Sequence, residues 1–207
     1  MNEKICDQLI AKMCALLPTM YGEKKDGMAR LVNEHHFDRV KKMLEENHGG
    51  KVVEGGLDKS NRKEKYIPPT FVVNPLNKSS MLNDEIFGPV LPIVTVQSLD
   101  QAVKLIRAKE NPLGAYVFTR DSKISEGFFQ QVPSGGGCVN DVVFHIRNKN
   151  LPFGGSGKSG LGYYGGKFSF DELSYKQSVL ECSADNDTGR MYPPLSPKLF
   201  KLLKAAL

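Results

Sequence analysis

Apolar positions follow two rhythms along this chain: a helical spacing near the N-terminus, then short β-branched runs alternating with helical segments. Ile5, Leu9, Ile10, Met13, Leu16 and Leu17 recur at helical spacing and predict an amphipathic helix over 2–17, which Pro18 is expected to close. A second helix is expected from Asn33, a suitable N-cap, through Phe37, Val40 and Leu44 to the pair Gly49 and Gly50. Val52 and Val53 suggest a short strand, and the polar, glycine-led stretch 55–65 reads as a mobile loop. Ile67, Phe71, Val72 and Val73 mark an extended segment. Pro68 and Pro69 confine its start to an edge or a position outside a ladder, and Pro75 ends it.

From residue 90 the β-branched runs fall at 90–96, 115–119 and 137–144. Between the first two, Ser98 and Gln101 form a capping-box pattern ahead of Ala102, Val103, Leu105 and Ile106. Between the second two, Asp121 can cap a helix carrying Ile124, Phe128, Phe129 and Val132. Alternation of this kind belongs to βαβ units, so the expected fold class is α/β, a mainly parallel sheet with flanking helices. Beyond it come a strand at Tyr175 to Leu180, a polar break at 183–190, a proline-rich stretch at 192–197 and an amphipathic tail with Leu199, Phe200, Leu202 and Leu203.

Composition narrows the function classes. The 207 residues, 40% hydrophobic and 25% charged, suit one sizeable core or two small ones. The net charge of +5 arises from 28 basic and 23 acidic residues that are interspersed, which implies a mildly basic surface and no nucleic-acid footprint. Cys6, Cys14, Cys138 and Cys182 form no C-x-x-C pair, and His35, His36, His48 and His145 form no H-E-x-x-H arrangement, so no metal site is indicated. Reduced thiols and a cytoplasmic location are expected, with neither a secretory leader nor a transmembrane span.

Half of the twenty glycines fall between Ser134 and Lys167, in two clusters. Glycine loses the most backbone entropy on folding, so such density calls for compensation: close approach of backbone to a ligand or to another chain, unless the stretch is a mobile linker. Gly155, Gly157 and Gly160 match G-x-G-x-x-G literally, yet the stretch lacks both the preceding buried strand and the following helix that a dinucleotide fingerprint needs. The P-loop ending imitated by Gly157, Lys158 and Ser159 fails too, because Pro152 occupies the place of the first glycine. Cys138 beside His145 has the outline of a nucleophile pair. The plainer reading, a small buried residue at the start of a strand, is preferred because nothing in the sequence nearby predicts an activated thiol.

Three motifs in order carry more. Glu85-Ile86-Phe87-Gly88-Pro89-Val90 comes first; Ser134-Gly135-Gly136 with Asn140 and Asp141 follows about fifty residues on; Pro152-Phe153-Gly154-Gly155 lies about a dozen further. In this order and spacing they resemble the aldehyde dehydrogenase superfamily, most closely its class 3 and fatty aldehyde branch, from about Lys4 to near Pro194. The resemblance implies oxidation of an aldehyde to a carboxylic acid with NAD or NADP through a cysteine thiolate and a general-base glutamate. It places Glu85 on the nicotinamide ribose, Phe87 near the nicotinamide, Phe153 on the wall of the aldehyde channel, and Asn140 near the active site, bonding neighbouring backbone.

The same resemblance marks departures. In family members the nucleophilic cysteine, the general-base glutamate, the oxyanion asparagine and the dinucleotide-binding domain lie upstream of the part matched here. The histidine usual after the last-cluster tyrosine is also replaced, Gly165 following Tyr164. The implied organisation is a partial catalytic domain over 1–166, an oligomerisation segment over 167–182 and a C-terminal tail over 183–207. Expected partners are an aldehyde substrate and either further copies of the chain or full-length subunits. No catalytic residue is assigned, cofactor binding by this chain alone is not expected, and uncovered apolar surface predicts aggregation or obligatory oligomerisation.

Overall fold

The computed structural model describes residues 1–22, 27–185 and 193–206. Helix α1 spans Glu3–Tyr21, and Asn2 caps it by accepting from the Lys4 main-chain N–H. The helix does not close at Pro18, which lies inside it. Proline forfeits one intrahelical bond, but Leu17 and Tyr21 pack with Phe71 and Ile93, and that burial carries the helix a turn further. Helix α2 (Glu34–Glu45) starts where predicted, Asn33 accepting from the His36 N–H.

Strands β1 (Lys51–Glu54) and β2 (Thr70–Val73) pair antiparallel, with a register shift between Val52 and Glu54. After the short helix α3 (Ser80–Asn83), strand β3 (Val90–Ile93) joins β2 in parallel, giving the order β1-β2-β3. The expected strand over 90–96 therefore ends at Ile93, although Val96 still exchanges main-chain bonds with the Met1–Glu3 segment through an isolated parallel bridge at Asn2. Successive side chains of β2 face opposite sides. Phe71 meets Cys6 and Leu17 of α1, whereas Val72 meets Phe37, Val40 and Met43 of α2. The sheet is thus sandwiched between these two helices.

A second unit follows. Helix α4 (Leu99–Arg107) is capped by Ser98, which accepts from the Gln101 N–H, while the Gln101 side chain accepts from the Gln97 N–H, one residue earlier than a reciprocal capping box requires. Strand β4 (Gly114–Val117), helix α5 (Ser122–Gln131) with its Asp121 cap, and strand β5 (Gly136–Val139) complete a parallel βαβ unit. Val103, Ala115, Phe128 and Val132 form its core. The expected α/β class with mainly parallel pairing is what the structure has: β2–β3 and β4–β5 pair in parallel, β1 alone joins antiparallel, and the strands of the described residues fall into two sheets.

The 137–144 run also stops early, at Val139, because Asn140 (φ 58°) and Val143 (φ 67°) take left-handed backbone that cannot extend a ladder, and a 3₁₀ turn at Phe144–Arg147 follows. After helix α6 (Lys167–Glu172), residues 175–180 form no strand. A strand needs a partner for its ladder, and no described segment pairs there; Tyr175 and Leu180 are 90% and 88% exposed. The tail forms helix α7 (Pro197–Ala206). The expected polar break at 183–190 and proline-rich stretch at 192–197 lie partly outside the described residues.

The loop expected to be mobile, 55–65, is tied down. Arg62 clasps both carboxylate oxygens of Asp38 at 2.8 Å and also pairs with Glu34, while Asn61 and Tyr66 bridge the loop's end.

Candidate functional site

The stretch Glu85–Pro89 enters β3 and is held from behind by α2. The Arg39 guanidinium donates to the Glu85 carbonyl at 3.0 Å and to the Ile86 carbonyl at 2.5 Å, a forked contact that lysine could not reproduce. Ile86 packs onto the α2 core, and a Cβ on Gly88 would come within 2.9 Å of Val40. With its main chain fixed in this way, the segment turns two side chains outward. Glu85 is exposed, and its carboxylate accepts no hydrogen bond from any described residue. Phe87 is 76% exposed and holds φ at 41°, a costly conformation for a bulky residue. Phe87, Gly88 and Pro89 border an open apolar groove of roughly 680 Å³ that also touches Tyr21, Leu31 and Ile67.

At the C-terminal end of the β4–β5 pair, the Asn140 carboxamide accepts from the Thr119 N–H and donates to the Thr119 carbonyl, both at 2.8 Å. The β2–β3 pair ends similarly. Asn74, also left-handed at φ 52°, follows β2 and accepts from the N–H and hydroxyl of Thr95. Two parallel strand ends are thus clasped by asparagines, a residue that tolerates the left-handed region.

The glycine clusters explain themselves by close contact of the chain with its own backbone. A Cβ on Gly135 would lie 2.0 Å from the Gly154 carbonyl oxygen, and one on Gly154 would lie 2.1 Å from that of Gly162. Three backbone segments therefore stack, fastened by reciprocal 2.8 Å main-chain bonds between Phe153 and Tyr164. The literal G-x-G-x-x-G forms a 3₁₀ turn, Gly157–Ser159, with Lys158 paired to Glu110 on the surface. On this stack stands a row of rings: Tyr116 beside His145, His145 beside Phe153 and Phe153 edge-on to Tyr164, with centroids 5.3–6.1 Å apart.

The four residues singled out from the sequence fall into two pairs. Glu85 and Phe87 belong to the β2–β3 unit, Asn140 and Phe153 to the β4–β5 unit. Among the described residues no hydrogen bond, ion pair or ring contact joins one pair to the other. The exposed Glu85 carboxylate offers acceptors to two neighbouring hydroxyls, and the outward Phe87 ring offers an apolar face. An exposed acceptor two residues from an exposed ring is compatible with a ligand that carries paired hydroxyls beside an apolar face. Within the glycine turn, Gly155 packs against the Ser159 and Gly160 backbone, whereas Gly157 faces open space.

Arg39, Asn74 and His145 were not singled out for these positioning contacts. Asn74 and Asn140 each directly follow a strand and bond a threonine 21 residues away, Thr95 and Thr119, a pairing that appears only in the structure. The clearly shifted acidities lie on surface ion pairs. A hydrogen bond from Arg62 lowers Asp38, one from Lys167 lowers Asp171, and Glu110 raises Lys158.

Comparison with known proteins gives these features a setting. The model of the aldehyde dehydrogenase family matches residues 1–179. Aldehyde dehydrogenase family 3 member I1, chloroplastic, of Arabidopsis thaliana is 42% identical, the match covering all of this chain and 38% of that protein. The rat aldehyde dehydrogenase described as dimeric and NADP-preferring is 39% identical over 96% of this chain and 44% of its own length. A substrate-bound structure of Staphylococcus aureus AldH superposes with a TM-score of 0.88 at 36% identity, covering 99% of this chain and 44% of that one. The chain thus spans about two fifths of the proteins it matches. Among the described residues no helix is long and apolar enough to cross a membrane.

Proposed function

The chain belongs to the aldehyde dehydrogenase family, and on that premise we propose that it supplies the C-terminal part of a class 3-like, NAD(P)-dependent site for oxidising aldehydes to carboxylic acids, working in the cytoplasm. The observation that carries this reading is the coverage: nearly the whole chain aligns, yet it accounts for only about two fifths of its relatives. In this reading Glu85 accepts from the ribose hydroxyls of the nicotinamide half and Phe87 packs near the ring. Phe153 walls the aldehyde channel, and Asn140 fixes the backbone beside it. The cofactor, when bound, serves as hydride acceptor. The family resemblance assigns the attacking thiolate, the general base and the phosphate-binding fold to none of the matched residues, so in this reading residues 1–207 alone are expected to turn over no aldehyde. Purified chain given an aliphatic aldehyde with NAD or NADP is expected to form no reduced nicotinamide above a heat-killed control. Sustained turnover would overturn the reading.

A second reading is supported by one observation. Residues 175–180 carry Tyr175, Val179 and Leu180 with 90%, 78% and 88% exposure and no strand partner among the described residues. Such a segment can add to the sheet of a full-length subunit, which would make the chain a non-catalytic interaction module. Co-purification with a full-length subunit at micromolar concentration, lost on deleting 174–182, supports this role; no association of the intact chain counts against it.

A further inference from the structure

We propose that Cys138, served by His145, is a site of covalent addition for apolar α,β-unsaturated aldehydes, separate from any oxidation of aldehydes by the family's upstream cysteine. The Cys138 sulfur lies 3.4 Å from His145 Nδ1. It is the imidazole's one polar partner among the described residues. The other ring nitrogen, Nε2, is sealed from solvent and unpartnered, lying over Gly136, where a Cβ would come within 3.0 Å of it. A buried polar atom without a partner is destabilising, so a histidine used only as packing is a poor choice here. Glycine at 136 clears the space that lets the ring reach the thiol.

The surroundings select the electrophile. Tyr116 and Phe153 flank His145 with ring centroids 6.0 and 6.1 Å from it, forming an apolar wall beside a half-buried sulfur. No lysine, arginine, aspartate or glutamate makes an ion pair or hydrogen bond with Cys138 or with the His145 ring among the described residues. An anionic or strongly polar electrophile would find no partner here, whereas an alkenal can lay its chain along the rings.

The step balances without an oxidant or a cofactor. The proposed step uses the tautomer that carries its proton on Nε2: as sulfur bonds to the β-carbon, its proton passes to Nδ1, and the electron pair of the C=C bond moves toward the carbonyl as an enolate. The imidazolium then returns the proton to the α-carbon. One S–C and one C–H bond form, the S–H bond and the C=C π bond are lost, and the aldehyde remains. A saturated aldehyde has no β-carbon acceptor and forms only a reversible hemithioacetal.

The four cysteines provide the test. Exposure alone ranks Cys182 first, because Cys182 is exposed, Cys14 and Cys138 are intermediate and Cys6 is buried. The full chain is treated briefly with substoichiometric trans-2-hexenal at neutral pH, reduced with borohydride, digested and mapped by mass spectrometry. Positioned base catalysis predicts that Cys138 is modified about tenfold faster than Cys182. His145→Phe, which keeps a ring in place but removes the base, is expected to bring Cys138 down to the rate of Cys182 or below while leaving Cys182 unchanged. Hexanal is expected to leave no adduct that survives dialysis before reduction. Modification of Cys182 ahead of Cys138, or an unaltered Cys138 rate in His145→Phe, would overturn the proposal. Labelling of Cys6 reveals a misfolded variant, and the ranking in the unaltered chain then decides the question alone. Because no nicotinamide enters this assay, its outcome is independent of whether the chain oxidises aldehydes.

Discussion

The carboxamide of Asn140 bonds both main-chain polar groups of Thr119, accepting from the N–H and donating to the carbonyl at 2.8 Å each. This clasp ties the end of β5 to the end of β4 just where the chain turns toward Phe153. Asn140→Gly keeps access to left-handed backbone and removes only the clasp, so about 1–2 kcal/mol of stability should be lost. Asn140→Ala adds the strain of an alanine at positive φ and should cost about 1 kcal/mol more. Denaturant titration of the three proteins checks the order, and equal stability of all three would show that the clasp contributes nothing.

Arg39 holds the Glu85 and Ile86 carbonyls at once. Arg39→Lys retains the charge but loses the fork. Amide hydrogen exchange across residues 85–88 should rise severalfold, while the α2 core, anchored by Phe37 and Val40, keeps its protection. Unchanged exchange at 85–88 would mean that the segment is fixed by Ile86 and Gly88 packing alone.

Gly154 and Gly157 separate two reasons for a glycine. A Cβ at 154 would strike the Gly162 carbonyl at 2.1 Å, so backbone must move and Gly154→Ala should lose more than about 3 kcal/mol. Gly157 sits at φ +66° in open space, so Gly157→Ala should pay only conformational strain, about 1 kcal/mol. Thermal melts of the pair decide it, and comparable losses would contradict the stacked-backbone account.

Asp38 is held below its usual value of 3.8 by the hydrogen bond from Arg62. A carboxylate depressed in the folded state contributes stability that is fully present above its unfolded value and is lost as pH falls through the lower folded one. Limited proteolysis within 55–65 should therefore be slow at neutral pH and accelerate well below 3.8, with Arg62→Ala abolishing the difference. Solvent and salt screen this exposed network, so the change should stay local and shrink at high salt. A loop cut equally fast at both pH values would contradict the tether.

Much of the local structure was legible in the residues themselves. Asn33, Ser98 and Asp121 announced their helices because a capping side chain bonds within a few residues of itself. The extended segment read at Phe71 to Val73 became β2, and only the structure showed which helix each of its faces meets. The order of three motifs pointed to the family. What the sequence could not state was which distant groups meet. Pro18 reads as a helix stop until Phe71 buries Leu17 beside it. The 55–65 loop reads as mobile until Asp38 and Glu34 receive Arg62. Residues 175–180 read as a strand, but a strand exists only with a partner, and none is present among the described residues. The glycine clusters suggested close approach without naming what approaches. Tertiary folding decided that it is the chain's own backbone, because Gly154 and Gly162 are brought together only when the turn between them closes. The same closure sets the Phe153 ring beside His145 and so places an aromatic wall next to the Cys138 sulfur.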